Sequence, residues 1–193
     1  PKLLAKFKLQ FEKWFMDATK NGFDSVSIHV GHEGRDEVVL EGHYAYLHPV
    51  ERTRPNPKWH GISYHGPAGW ANDWVDNWTK TDSYPYWDLN VVNEGEFFVL
   101  LKYACTKSDL GSKLRIEVGG NSLSVTVDKP HESVMLPSAD RIHRKEVYEK
   151  TWSTINAGTV LLEKGRAQLR IRALEIPGNE ALELKAVHLI RNR

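Results

Sequence analysis

Apolar side chains recur at three- and four-residue steps through residues 2–19: Leu4, Phe7, Phe11, Trp14, Phe15 and Ala18. Lys2, Lys6, Lys8, Glu12, Lys13 and Asp17 occupy the rest of the cylinder. This spacing predicts an amphipathic α-helix, and Asn21-Gly22 supplies its left-handed stop. The apolar stripe is broad for a helix at the rim of a small domain and calls for a partner surface. A short strand, Val26 to Val30, follows and ends at Gly31.

From about residue 36 the period drops to two and stays there, the signature of strands with one buried face. Val38 to Leu40 and Tyr44 to Leu47 read as early strands. Trp87, Leu89 and Val91 alternate with Asp88 and Asn90, and Asn93-Glu94-Gly95 is expected to turn the chain into Phe97, Val99, Leu101 and Tyr103 as a hairpin. Leu114, Ile116 and Val118 alternate with charged residues, and Gly119-Gly120 closes that strand onto Leu123, Val125 and Val127. Val160 to Leu162 and Leu169, Ile171 and Ala173 flank the turn Glu163-Lys164-Gly165-Arg166. Along Leu182 to Ile190 the apolar phase shifts near Ala186, which predicts a bulge. Many short strands with turn residues between them and no second helix predict an all-β sandwich. The irregular stretches 48–83 and 128–146 are where function is to be sought.

Length and charge narrow the classes. The chain has 193 residues, room for one sandwich but not for a catalytic domain as well. Lys and Arg total 26 against 25 Asp and Glu, so there is no electrostatic case for nucleic acid or an anionic membrane surface. No apolar run approaches a spanning length. The single cysteine, Cys105, excludes an internal disulfide framework. No G-x-S-x-G, no H-E-x-x-H and no Gly-rich phosphate loop is present. Asp73, Asp76 and Asp82 lie close in sequence, but carboxylates in an Asn- and Asp-rich loop are ordinarily solvated. The nine His residues are scattered, and His29 with His32, like His43 with His48, differ in parity and are expected on opposite faces.

Seven Trp and seven Tyr are many for this length. They concentrate between Gly61 and Trp87 among Asn and Asp. Aromatic rings stack on the apolar face of a pyranose, and amides and carboxylates fix its hydroxyls, so this composition suits a sugar site. The expected ligand residues are Tyr64, His65, Trp70, Asn72, Asp73, Asn77 and Trp78, with Trp74 and Trp87 assigned to the core. Two cationic loop groups, Arg52, Arg54, Lys58 and His60, then Arg141, His143, Arg144 and Lys145, read as solvated charge.

Three features resemble the C-terminal region of bacterial arylsulfatase-type enzymes. One is Phe11-Glu12-Lys13-Trp14-Phe15 with Gly22-Phe23 and Ser27-Ile28-His29-Val30-Gly31. Another is Ala68-Gly69-Trp70-Ala71-Asn72-Asp73-Trp74 leading to Trp87-Asp88-Leu89 and Gly95-Glu96-Phe97-Phe98. The third is Leu101-Lys102-Tyr103-Ala104-Cys105 with Gly111-Ser112, then Trp152, Gly158 and the final strands. The latter two are also similar to galactose-binding-like jelly-roll modules. The resemblance covers nearly the whole chain. It implies a jelly-roll β-sandwich over 35–193, preceded by residues 1–34, the helix and strand that end an upstream catalytic domain. It further implies a periplasmic or extracellular location, a glycan partner, sulfated or neutral, and a role without catalysis. The sulfatase formylglycine motif is a Cys followed two residues later by Pro and then Arg, and Cys105-Thr106-Lys107-Ser108 lacks both. Jelly-roll modules often hold a structural calcium, for which Glu41 and Glu183 are the conceivable ligands here. The other reading is a structural module that packs on the catalytic domain and binds no sugar.

Overall fold

The computed structural model describes residues 2–20, 26–50, 60–66, 71–139, 141–142 and 149–193. The expected helix is α1 (Lys2–Thr19). Its register sets Phe11 against Trp14 and Phe15, ring centroids 5.8 and 5.9 Å apart, as i,i+3 and i,i+4 neighbours require. No α1 side chain is buried. The stop at Asn21-Gly22 lies outside the described residues.

The strands are β1 (Ile28–Val30), β2 (Glu37–Glu41), β3 (Tyr46–His48), β4 (Ser63–Tyr64), β5 (Val75–Asp76), β6 (Tyr84–Val91), β7 (Gly95–Ala104), β8 (Lys113–Val118), β9 (Asn121–Thr126), β10 (Ser153–Leu162), β11 (Gly165–Glu175) and β12 (Glu183–Arg191). They form two sheets. Sheet A runs β1-β6-β11-β8-β9, with β3 also on β6; sheet B runs β10-β7-β12-β5-β4, with β2 also on β12. The chain is a β-sandwich.

Alternation decides which residues meet between the sheets. Trp87, Leu89 and Val91 of β6 and Leu114, Ile116 and Val118 of β8 enter from sheet A. Phe97, Val99, Leu101 and Tyr103 of β7 and Leu184, Val187 and Leu189 of β12 enter from sheet B. Burying aromatic side chains of this size contributes about 2–3 kcal/mol each.

Several connections match expectation and one does not. β8 and β9 form the hairpin, Val118 facing Asn121 across Gly119 and Gly120, both at positive φ (55° and 85°) as a primed two-residue turn demands. The β12 phase shift is a register break between Leu184 and Ala186 opposite β7. Asn93-Glu94-Gly95, however, makes no hairpin: β6 pairs in sheet A and β7 in sheet B, so this turn carries the chain from one layer to the other. Both flanking strands need one apolar face turned inward, and crossing between layers satisfies that as well as pairing does. β1, grouped by sequence with the helix in 1–34, adds in parallel to β6. His29 and His32, expected apart, approach to 3.3 Å, because β1 ends at Val30 and Gly31 (φ 85°) turns the chain, so strand parity no longer applies.

Candidate functional site

The aromatic stretch divides between core and surface. Trp78 is fully buried and donates its Nε1–H to the Ser83 carbonyl at 2.8 Å. Tyr64 is buried and donates its hydroxyl to the Ala45 carbonyl. Trp87 is buried and bonds the Glu41 carbonyl at 3.0 Å. Neither Tyr64 nor Trp78, both expected to meet ligand, offers a ring to solvent. Asp73 is buried too, directly under Gly66, where an added Cβ would stand 2.4 Å from Asp73 Oδ1. Trp70 lies outside the described residues, as do Arg52, Arg54, Lys58, His143, Arg144 and Lys145. His65 and Asn72 are exposed and Asn77 is half-buried. Asn72 and Asn77 take left-handed backbone (φ 73° and 52°), which Asn tolerates better than most residues.

The surface members meet in one connected cluster where β4, β5 and the start of β12 adjoin residues 149–152. His65, 46% exposed at its side chain, lies flat on Trp74, centroids 4.0 Å apart and planes 20° apart. Its Nδ1 is 2.9 Å from Asp76 Oδ2, and the Asn77 amide donates to Asp76 Oδ1 at 2.7 Å. Trp74 meets Trp152 edge-on at 5.2 Å and donates Nε1–H to Glu183 Oε1 at 3.0 Å. Lys150 Nζ sits 4.2 and 4.6 Å from the centroids of those two indoles and is ion-paired with Glu183 Oε2. Trp152 Nε1–H donates to Glu149 Oε1 at 2.6 Å. Lys185 pairs with Glu149 Oε2 at 3.4 Å and donates to the Asn72 carbonyl at 3.0 Å. Lys150 and Lys185 are only 7% and 6% exposed, so each needs the carboxylate it has.

The electrostatics are uneven. Burial first, then the carboxylates of Asp76, Glu183 and Asp109, push the Glu180 carboxyl up to about 7. Burial acts against ionisation of Glu149 too, but hydrogen bonds from Trp152 and the Lys150 amide, with the Lys185 charge, hold it below the ordinary range. Burial, then Asp109, Glu180 and Glu183, push the Cys105 thiol up to about 11, so at neutral pH it is a protonated thiol and a poor nucleophile.

His65, Asp76 and Glu183 place one nitrogen and two carboxylate oxygens within 4.8 Å of one another. The set does not fit the calcium that the jelly-roll resemblance implies. Calcium takes six to eight oxygens, whereas here one donor is imidazole and both Glu183 oxygens are taken by Lys150 and Trp74. Glu41 is not in this group; its β2 register sets it against Ala186.

Of this cluster, His65, Asn72 and Asn77 were legible in the sequence, whereas Glu149, Lys150, Trp152, Glu180 and Lys185 were not. Lys185 carried a usable signal: it stands at the phase shift of the last strand, where a bulge turns an apolar alternation into a place for one charge.

No known family profile matches the chain, and no curated protein matches it in sequence. Solved structures do. A Podospora anserina GH26-CBM35 β-(1,4)-mannanase is 13% identical with a TM-score of 0.54, over 82% of this chain and 28% of that one. A family 35 carbohydrate-binding module from Clostridium thermocellum is 16% identical with a TM-score of 0.50, over 82% of this chain and 100% of that one. The fold is a jelly roll. The insecticidal crystal protein Cry2Aa shares it at 14% identity and a TM-score of 0.53, over 85% of this chain and 23% of that one. This chain thus spans the whole length of one neighbour and less than a third of the other two.

Proposed function

We propose that this chain is a non-catalytic carbohydrate-binding accessory domain that docks a glycan at the His65 cluster. The observation that carries the reading is the flat imidazole–indole stack of His65 on Trp74, the imidazole 46% exposed at its side chain and edged by Asp76, which in turn accepts from the Asn77 backbone N–H. A planar face with amide and carboxylate groups beside it suits a pyranose ring and its hydroxyls. Two fold neighbours, a mannanase carrying a family 35 module and an isolated family 35 module, supply the analogy for the ligand class. In the same proposal the parent is a sulfatase-type hydrolase, periplasmic or extracellular, and Trp70 adds a ring to the site. Residues 1–34 end its catalytic domain, β1 serving also as the parallel edge of sheet A.

A glycan array on the 193-residue chain, including β-mannan and sulfated glycans, tests this. Binding lost in His65→Ala and Trp70→Ala variants that keep the parent's unfolding midpoint supports the site. Binding retained by both removes it. The second reading, a module that stabilises a catalytic partner without sugar, is favoured by the exposed apolar side chains of α1 and by the buried ion pairs. It predicts no binding to any glycan, with loss of stability of the longer protein on deletion of the domain.

A further inference from the structure

The outer face of sheet A carries chemistry that the His65 cluster does not use. Outward positions alternate with core positions on every strand. They place His48 beside Tyr84 and Tyr46 beside Tyr86 from β3 to β6, the rings stacked at 4.7 and 5.2 Å. On β11 the outward residues are Arg166, Gln168, Arg170 and Arg172, with Gln168 opposite Asp88 and Arg170 opposite Tyr86. On β8 they are Lys113, Arg115 and Glu117, with Arg172 opposite Arg115 and Arg170 opposite Glu117. Five cations thus share this face with three carboxylates, Asp88, Glu117 and Glu175.

The arginines are held in place by their neighbours. Arg172 lies over the Tyr84 ring at 4.2 Å, its Nε 3.4 Å from Glu117. Arg170 donates Nε–H to Gln168 at 2.6 Å, and Gln168 donates to Asp88 at 2.9 Å. In both arginines the contact uses Nε, which leaves the terminal N–H fork, the part that grips an oxyanion in two places. Burial, then Asp88, keeps the Tyr86 phenol above its ordinary value and therefore a hydrogen-bond donor. Beside this ladder a groove of about 460 Å³ runs past Arg115, Gly119, Gly120, Ser122, Gln168 and Arg170. Five strands at ~4.8 Å spacing make a face roughly 19 Å across, wide enough for several sugar residues.

We propose that this face binds an anionic polysaccharide, whose sulfate or carboxylate groups sit on Arg170 and Arg172 and whose hydroxyls meet the groove along β8 and β9. A flat, donor-rich surface complements a chain of oxygen acceptors bearing negative charge. Nucleic acid fits less well. Its unpaired bases need open ring faces, whereas these rings stack on one another, and a net charge of +1 gives little long-range attraction.

The test is calorimetric titration of the 193-residue chain with heparin, polygalacturonate, neutral β-mannan and a single-stranded oligonucleotide, at low and high salt. Binding to heparin or polygalacturonate that weakens with salt is expected, and the tighter of the two identifies the anion. The double variant Arg170→Gln/Arg172→Gln should weaken it about tenfold or more, and by the same factor in a His65→Ala background, while Tyr86→Leu should weaken it less. Unchanged affinity in the double variant, equal affinity of His65→Ala for neutral mannan, tighter binding of the oligonucleotide, or no binding to either polyanion would each overturn the proposal. Because the His65 site lies on sheet B, glycan binding lost only in His65→Ala would sink this face and leave that reading standing.

Discussion

Glu180 is partly buried among other carboxylates, and its raised value has a definite consequence for stability. The folded chain keeps this proton up to about pH 7, whereas the unfolded chain gives it up near 4.5. Between those values the folded state binds more protons, so stability falls as pH rises through the window and levels off above it. Asp109 acts in the opposite sense at lower pH. Burial works against its ionisation, yet hydrogen bonds from Thr106 and from the Asn179 and Glu180 amides hold its carboxyl below the ordinary range, so its contribution is lost on acidification. Glu180→Gln isolates the first effect. Urea midpoints should show the variant more stable than the parent by about 1–2 kcal/mol at pH 8, discounted for partial exposure, and equal to it at pH 4.5. Parallel pH profiles in the two proteins would show that the Glu180 carboxyl is hydrated in solution and its shift absent.

At the scale of elements, the Lys150–Glu183 pair ties the segment before β10 to the start of β12, with Trp74 and Trp152 packed about the ammonium. Removing one partner of such a pair strands the other. Lys150→Met should therefore cost about 2–4 kcal/mol, and adding Glu183→Gln should recover a good part of it. A double-mutant cycle in urea measures the coupling, and additive losses would mean that the two charges act independently. The same elements show what alternation can and cannot reveal. It located β6, β7, β8, β9, β11 and β12, because one buried face leaves a period of two. It could not say that Asn93-Glu94-Gly95 crosses between sheets, because an inward-facing Phe97 looks the same in either layer. Nor could it separate Trp78, sealed in the core, from Trp152, half-exposed above Lys150: an indole suits both places, and its hydrogen-bond partner decides. His65 was legible as a surface ring, but the Glu183 and Lys150 that complete its cluster around Trp74 come from segments more than eighty residues away.

For the molecule as a whole, α1 poses the question of what covers it. Leu4, Phe7, Phe11, Trp14 and Phe15 are all substantially exposed, and no side chain of the helix is buried. A helix with one apolar stripe and no packing partner is marginal in water, since most helical stability comes from burying that stripe. The sandwich, by contrast, has its own closed core from β1 to β12. Residues 26–193 should therefore unfold within about 2 °C of the full chain, because no side chain of the helix is buried. The full chain should self-associate reversibly in sedimentation, stripe against stripe, and Phe11→Ser/Trp14→Ser should abolish this without moving the midpoint. A midpoint lowered by about 5 °C or more on truncation would mean that α1 packs on the sandwich in solution, at a cost of roughly 1.3–2.5 kcal/mol or more to remove. The helix would then be part of this domain and not a remnant of its neighbour.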